Sequence, residues 1–245
     1  MADFIIIIRA EPDASRDVAW LKRYQVPAIA VPVMHAESWP FSLSDVSPFQ
    51  AIVFTSRYAV AAVASSANIE SLRSLPTYVV GRSTAIFARE AGFNKVITGE
   101  GDGRGLLPVL VADLHPNAGA LLWPSAVNIS FDIVTSLGKF GFVVKRVPVY
   151  AMPATIPADT CLSDCLAAHA AAAVVAMSAR SIDLFSKLLT NNQLDACRDK
   201  ITVIAGSQSI ATAAGSRWAD ILIAKAPRRS RVLTIARFIH RRRRF

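Results

Sequence analysis

Short apolar runs, each closed by polar residues and followed by a helical pattern, recur along the chain. Phe4-Ile5-Ile6-Ile7-Ile8, Ala51-Ile52-Val53-Phe54 and Ala173-Val174-Val175-Ala176 are too short for helices and lack an alternating polar face. Such runs mark strands buried on both sides of a parallel sheet. The pattern predicts strands at 4–8, 173–176, 202–205 and 220–223, with helices at 15–24, 159–169, 181–189, 209–215 and 230–240. A second set has strands at 51–54, 77–80, 95–98, 120–123 and 142–146, with helices at 57–64, 84–91, 106–114 and 129–140. Strands alternating with helices in this way build parallel sheets with helices packed on both faces.

The pattern also repeats. Ala51-Ile52-Val53-Phe54-Thr55-Ser56, followed by Val79-Val80-Gly81-Arg82-Ser83-Thr84-Ala85, is matched by Ala173-Val174-Val175-Ala176-Met177-Ser178, followed by Val203-Ile204-Ala205-Gly206-Ser207-Gln208-Ser209. Two further segments, Val31-Pro32-Val33-Met34 and Val147-Pro148-Val149-Tyr150, resemble each other. Proline fixes φ and donates no backbone hydrogen bond, so these read as extended connectors crossing between domains. The expected fold is α/β: two doubly wound parallel-sheet domains joined by a two-stranded linker, with a cleft between them. Residues 1–32 plus 152–245 form a discontinuous domain, 36–147 an inserted one, and 31–35 and 147–152 the interdomain crossings.

In both copies hydroxyls fall where a strand ends and a helix begins: Thr55, Ser56, Ser83 and Thr84 in one, Ser178, Ser207 and Ser209 in the other. Open α/β sheets bind ligands at that edge, because free backbone N–H groups converge there. One such hydroxyl is most often a helix cap worth about 1 kcal/mol. Two matched sets form a multidentate site for a substrate carrying several carboxylates.

Composition narrows the function classes. Apolar residues make up 53% of the 245, yet the longest block, 170–177 behind 166–168, is interrupted by His169. It falls short of the ~20 residues of a membrane span. The segment before Ile5 lacks a basic leader, so a cytoplasmic protein is expected. Cys161, Cys165 and His169 recur every four residues, but three successive helical turns spread them over about 12 Å, too far to share one ion. No metal site is expected. The net charge of +9 resides in 225–245, which holds nine basic residues and no acid, leaving the rest with 18 of each sign. This tail reads as a solvated extension after the last helix, and nucleic acid is not an expected partner. No nucleophile elbow, zinc-protease helix or phosphate loop is present. Gly99-Glu100-Gly101-Asp102-Gly103-Arg104-Gly105 has the wrong glycine spacing for a dinucleotide loop, and reads as a flexible loop at the cleft edge.

The order of Phe54-Thr55-Ser56, Val80-Gly81-Arg82-Ser83-Thr84-Ala85, Val147-Pro148-Val149-Tyr150, Met177-Ser178 and Ala205-Gly206-Ser207-Gln208-Ser209 resembles that in the uroporphyrinogen-III synthase family over nearly the whole chain. The resemblance implies a cofactor-independent hydro-lyase of heme biosynthesis. Such an enzyme cyclises hydroxymethylbilane to uroporphyrinogen III, inverting the last pyrrole ring and releasing water. It also implies that Tyr150 assists the departing hydroxyl. Arg9, Thr55, Ser56, Gly81, Ser83, Thr84, Ser178, Gly206 and Ser209 would then hold the acetate and propionate groups. Hydroxymethylbilane synthase becomes a candidate partner, and a monomer is expected. The chain departs from the family pattern at Gln208-Ser209, where threonine is usual, and at Leu122-Trp123-Pro124-Ser125, which lacks an Arg-Gly turn. The alternative is a non-catalytic two-domain protein that binds a small polyanionic metabolite without turning it over.

Overall fold

The computed structural model describes residues 3–43, 45–67, 69–155, 162–164, 166, 171–226 and 228–242. They divide into two compact units, Met1–His35 with Pro153–Phe245 (unit 1) and Ala36–Met152 (unit 2). Unit 1 opens with β1 (Phe4–Ile7), α1 (Asp13–Lys22) and β2 (Ala28–Ala30). Unit 2 begins with β3 (Glu37–Ser38), β4 (Phe49–Phe54), α2 (Arg57–Ala64), α3 (Ile69–Arg73), β5 (Thr77–Val79) and α4 (Arg82–Glu90). It continues with β6 (Val96–Thr98), α5 (Gly103–Asp113), β7 (Ala120–Ala126), α6 (Ile133–Gly138) and β8 (Val144–Ala151). The chain then returns to unit 1 for β9 (Ala171–Ala176), α7 (Ala179–Asn191), β10 (Thr202–Ala205), α8 (Gln208–Ala214), β11 (Asp220–Ile223) and α9 (Arg229–Arg242).

The sheet of unit 1 runs β2-β1-β9-β10-β11, all parallel. That of unit 2 runs β8-β7-β4-β5-β6, also parallel, with the two-residue β3 antiparallel outside β8. The spatial orders superimpose when β9 is matched to β4, β10 to β5, β11 to β6, β1 to β7 and β2 to β8. The repeated hydroxyl and glycine motifs thus occupy equivalent strand ends, and the two Val-Pro-Val segments lie on or just after equivalent strands. Unit 1 is a cyclic permutation of the unit 2 order, entered at the strand matching β7.

Alternation along the strands supplies both faces of each sheet. In unit 2, Ile52 and Phe54 pack with Val60 and Val63 of α2 and Ala85 and Ala88 of α4. Ala51 and Val53 point the other way, into Leu106 and Leu110 of α5 and Ile133 and Leu137 of α6. In unit 1, Ile5, Ile7, Ala173 and Val175 pack with Leu21 of α1 and Val232, Leu233 and Ala236 of α9. Side chains on both faces of the central strands are fully buried, which is why those runs carry no polar alternation.

Several expectations change. Residues 147–151 are not a separate crossing but the end of β8, in parallel register with β7 up to Tyr150 opposite Ala126. Pro148 is accommodated because the ladder with β3 ends at Tyr150, and the last bond beyond it runs from the Trp39 amide to the Val149 carbonyl at 2.8 Å, asking nothing of the Pro148 nitrogen. Antiparallel pairing of the chain segments is seen within each unit: Met34 bridges Ala154 in unit 1, and Glu37 and Ser38 face Ala151 and Tyr150 in unit 2. β2, β3 and α3, at three, two and five residues, are too short to stand out in the sequence. Helix α5 begins at Gly103 rather than 106, and α6 at Ile133 rather than 129. Arg241 and Arg242, expected in an extension beyond the last helix, belong to α9. Cys161, Cys165 and His169 lie outside the described residues.

Candidate functional site

The sheet of unit 2 reverses direction of progression at β4: β5 and β6 follow to one side, β7 and β8 to the other. Ligands bind outside the carboxyl ends of strands at such a reversal. The ladder between β4 and β7 covers only Phe49–Ile52 against Ala120–Leu122, after which the strands separate. A pocket of about 200 Å³ lies there. Thr55 and Val80 follow β4 and β5, Gly101 to Gly103 follow β6, Trp123 and Ala126 belong to β7, and Tyr150 belongs to β8; residues 128–131 close it. Every parallel strand of the sheet therefore contributes at its carboxyl end.

Three aromatic rings (Trp123, Phe131 and Tyr150) meet the hydroxyls of Thr55, Ser130 and Tyr150 in this lining. Trp123 donates its indole N–H to Thr55 Oγ1 at 3.3 Å, fixing both. The one charged lining residue, Asp102, is turned to helix capping: its carboxylate accepts from the amides of Arg104 at 2.9 Å and Gly105 at 3.3 Å. Arg146 on β8 organises the far wall. It donates to Ser125 Oγ at 2.9 Å and to the carbonyls of Ala126 and Val127 at 2.8 and 2.6 Å, with its guanidinium 5.8 Å from the Trp123 ring centre. The strand without an Arg-Gly turn thus receives a guanidinium from its neighbour.

Tyr150 is held on both sides. Its carbonyl accepts from the Val127 amide at 2.9 Å, and its backbone pairs with Ser38 of β3. Its ring lies 5.8 Å from that of Tyr58, and the residue is buried. Burial pushes the phenol above its ordinary value of 10; a hydrogen bond with the Ser56 side chain pulls the other way, and the neighbouring Tyr58 adds to the rise. Ser56 in turn caps α2, its oxygen accepting from the Tyr58 amide at 3.1 Å. Tyr58 also receives a hydrogen bond from Arg57 at 3.0 Å.

Gly81 starts α4 in extended backbone, which any residue adopts, and an added Cβ would meet nothing nearer than Gly101 O at 3.9 Å. Neither conformation nor packing demands glycine there. No side chain caps the first amides of α4. Ser83 on that first turn is exposed, whereas Thr84 is buried. The expected flexible glycine loop is instead tightly packed. A Cβ on Gly105 would lie 1.7 Å from Glu100 O, one on Gly103 2.7 Å from the Phe131 ring, and one on Gly99 2.9 Å from the Leu106 Cα.

In unit 1 Ser178 caps α7, accepting from the Ser181 amide at 3.1 Å. Gly206 follows β10 with its amide bonded to Ala176 O at 3.0 Å, and Ser209 shares a 3.0 Å hydroxyl contact with Ser207. Arg9 is otherwise engaged: it donates to Asp17 at 3.0 Å and to Asp13, while Asp17, fully buried, also receives Arg229. A guanidinium compensated by two carboxylates is a poor partner for a third. Tyr58, Arg146 and the 128–131 loop are not singled out in the sequence: the strand-end rule applied to β7 points to the loop, whereas Tyr58 on α2 and Arg146 on β8 reach the site only through the fold. Among the described residues no group of three or more His, Cys, Asp or Glu side chains is placed to hold a metal ion, and no helix is long and apolar enough to cross a membrane.

A family model described as "Uroporphyrinogen-III synthase HemD" matches residues 16–233. No curated protein sequence matches the chain. Among solved structures, the uroporphyrinogen-III synthetase of Helicobacter pylori aligns with a TM-score of 0.63 at 20% identity, covering 96% of this chain and 98% of that one. A mutant uroporphyrinogen III synthase of Thermus thermophilus aligns with a TM-score of 0.59 at 15% identity, covering 98% and 100%. These structural likenesses establish a shared fold.

Proposed function

The chain belongs to the uroporphyrinogen-III synthase family, and from that membership we propose that it cyclises hydroxymethylbilane to uroporphyrinogen III with inversion of the terminal ring and loss of water. The electron-rich pyrrole that bears the hydroxymethyl group pushes out the adjacent hydroxyl: the C–O bond breaks, and the oxygen takes up a proton and leaves as water. The substituted carbon of the last ring, at the other end of the chain, then attacks; its original methylene link to the third ring breaks and re-forms at the free carbon of the same ring, which releases the proton that balances the one taken up. Which carbon attacks decides the isomer. The protein's contribution is therefore placement of the reacting ends, a task for a shaped pocket rather than a strong nucleophile.

The observation that carries this reading is the buried phenol of Tyr150 in a pocket at the carboxyl ends of the unit 2 strands. A donor must be protonated, and burial keeps this phenol so at neutral pH. Ser56 orients it: with the Ser56 oxygen accepting the Tyr58 amide, the Ser56 proton is free to go to the phenol oxygen. The Tyr150 proton is then available to the departing hydroxyl. Phe131 offers a face to a pyrrole ring, Trp123, fully buried, shapes the wall behind it, and Thr55 and Ser130 offer hydroxyls to the substituents. At about 200 Å³ the pocket suits a part of a tetrapyrrole, not the whole. The uncapped amides after Gly81, with Ser83 and Thr84, take carboxylates in unit 2, and Ser178, Gly206 and Ser209 take them in unit 1. Arg9 is left out of this set, since Asp13 and Asp17 already hold it. The scheme calls on no cofactor.

Product analysis tests the proposal. Purified protein mixed with freshly generated hydroxymethylbilane, followed by oxidation and chromatography, is expected to give predominantly porphyrin isomer III. Isomer I alone, from protein shown to be folded, refutes it, because I is the product of unguided closure.

A further inference from the structure

Two helix ends in unit 1 form a cationic and aromatic surface that the proposed reaction does not use. Helix α9 buries Val232, Leu233, Ala236 and Ile239 in the core, and turns Phe238, Arg241 and Arg242 outward. Helix α1 ends beside it in Lys22, Arg23 and Tyr24, all exposed. Arg237 joins the two, its guanidinium 4.1 Å from the Tyr24 ring centre. Arg242 lies 4.9 Å from the centre of the Phe238 ring. Phe238 is 54% exposed and Tyr24 41%, high values for aromatic residues. Among the described residues none of Lys22, Arg23, Arg241 and Arg242 is paired with a carboxylate, and the sequence continues with Arg243-Arg244 and no acid. Compensating the helix dipole at a carboxyl end takes one or two cations, not this many.

Both helices return antiparallel to the strands they follow, so these ends lie at the amino edge of the sheet. Ser178 and Gly206 lie at its carboxyl edge. The surface is thus separate from the substrate-contacting edge of unit 1. We propose that it attaches the protein reversibly to an anionic lipid bilayer. The arginines and lysine meet headgroup phosphates, while Phe238 and Tyr24 enter the interfacial layer. Basic residues combined with exposed aromatic rings supply the two signals that peripheral binding needs. Nucleic acid fits less well, because one face of each ring already carries the protein's own guanidinium, which leaves less room for base stacking.

Co-sedimentation of the full chain with vesicles tests this. Binding is expected to phosphatidylcholine vesicles containing about one-third phosphatidylglycerol, to be absent with phosphatidylcholine alone, and to be released by salt. The double variant Arg241→Glu/Arg242→Glu is expected to lower partitioning about tenfold or more, with the circular dichroism spectrum and turnover unchanged. Phe238→Ser is expected to weaken binding several-fold at constant charge. Three results overturn the proposal: equal binding to neutral vesicles, wild-type partitioning by the charge-reversed variant, or tighter binding to a labelled oligonucleotide than to anionic vesicles at the same salt. A folded protein that binds vesicles without turnover would count against the enzymatic reading alone.

Discussion

Tyr150 concentrates the chemistry proposed for this chain in one side chain. Its backbone is pinned between β3 and β7, its ring lies against Tyr58, and its hydroxyl is held by Ser56. Tyr150→Phe keeps the ring and its packing while removing the proton donor. We expect turnover to fall about tenfold or more, equivalent to roughly 1.4 kcal/mol in barrier, with KM little changed. Steady-state kinetics on the folded variant check this, and unchanged kcat removes Tyr150 from the mechanism. The equivalent position in unit 1 is Met34, which has no proton to give. The two halves therefore share their hydroxyls and glycines but not their phenol.

At the scale of elements, the glycines of unit 2 separate into two kinds. Gly105 sits where the start of α5 crosses the Glu100 carbonyl, so Gly105→Ala forces backbone to move and should cost about 2–3 kcal/mol. Gly81→Ala meets open space and should change stability by no more than about 0.5 kcal/mol, while raising KM by crowding the α4 amides. Denaturant unfolding together with kinetics distinguishes them; a large stability loss at Gly81 contradicts the assignment. Central strands were legible because burial on both faces leaves an uninterrupted apolar run, and caps such as Ser56 and Ser178 because a hydroxyl stands just before the helical spacing. The glycine loop reads as flexible in the sequence because close backbone approach and flexibility select the same residue. β2 escaped notice because Ala28-Ile29-Ala30 gains its strand identity from pairing with β1, a long-range contact. Arg9 shows the same limit at the site: only the fold reveals that Asp13 and Asp17 hold it.

For the molecule as a whole, two buried phenols set an alkaline limit. Burial, the nearby Asp113 charge and a 3.4 Å hydrogen bond to that carboxylate push Tyr78 up to about 12, and burial raises Tyr150 as well. In the unfolded chain both ionise near 10. Stability from this source is therefore complete below pH 10 and lost as pH rises from 10 toward about 12. Denaturation midpoints measured across that window should fall, and Tyr78→Phe should flatten the decline; an identical slope in the variant assigns it elsewhere. The cyclic permutation of unit 1 has a consequence for synthesis. β1 leaves the ribosome before β9, yet Ile5, Ile6 and Ile7 take their partners from Ala173, Val174 and Val175. All of Ala36–Met152 is made in between, and being continuous it can fold as it emerges. An early apolar strand, paired at once by β2 on one side, thus waits for its second neighbour until a whole folding unit has been made.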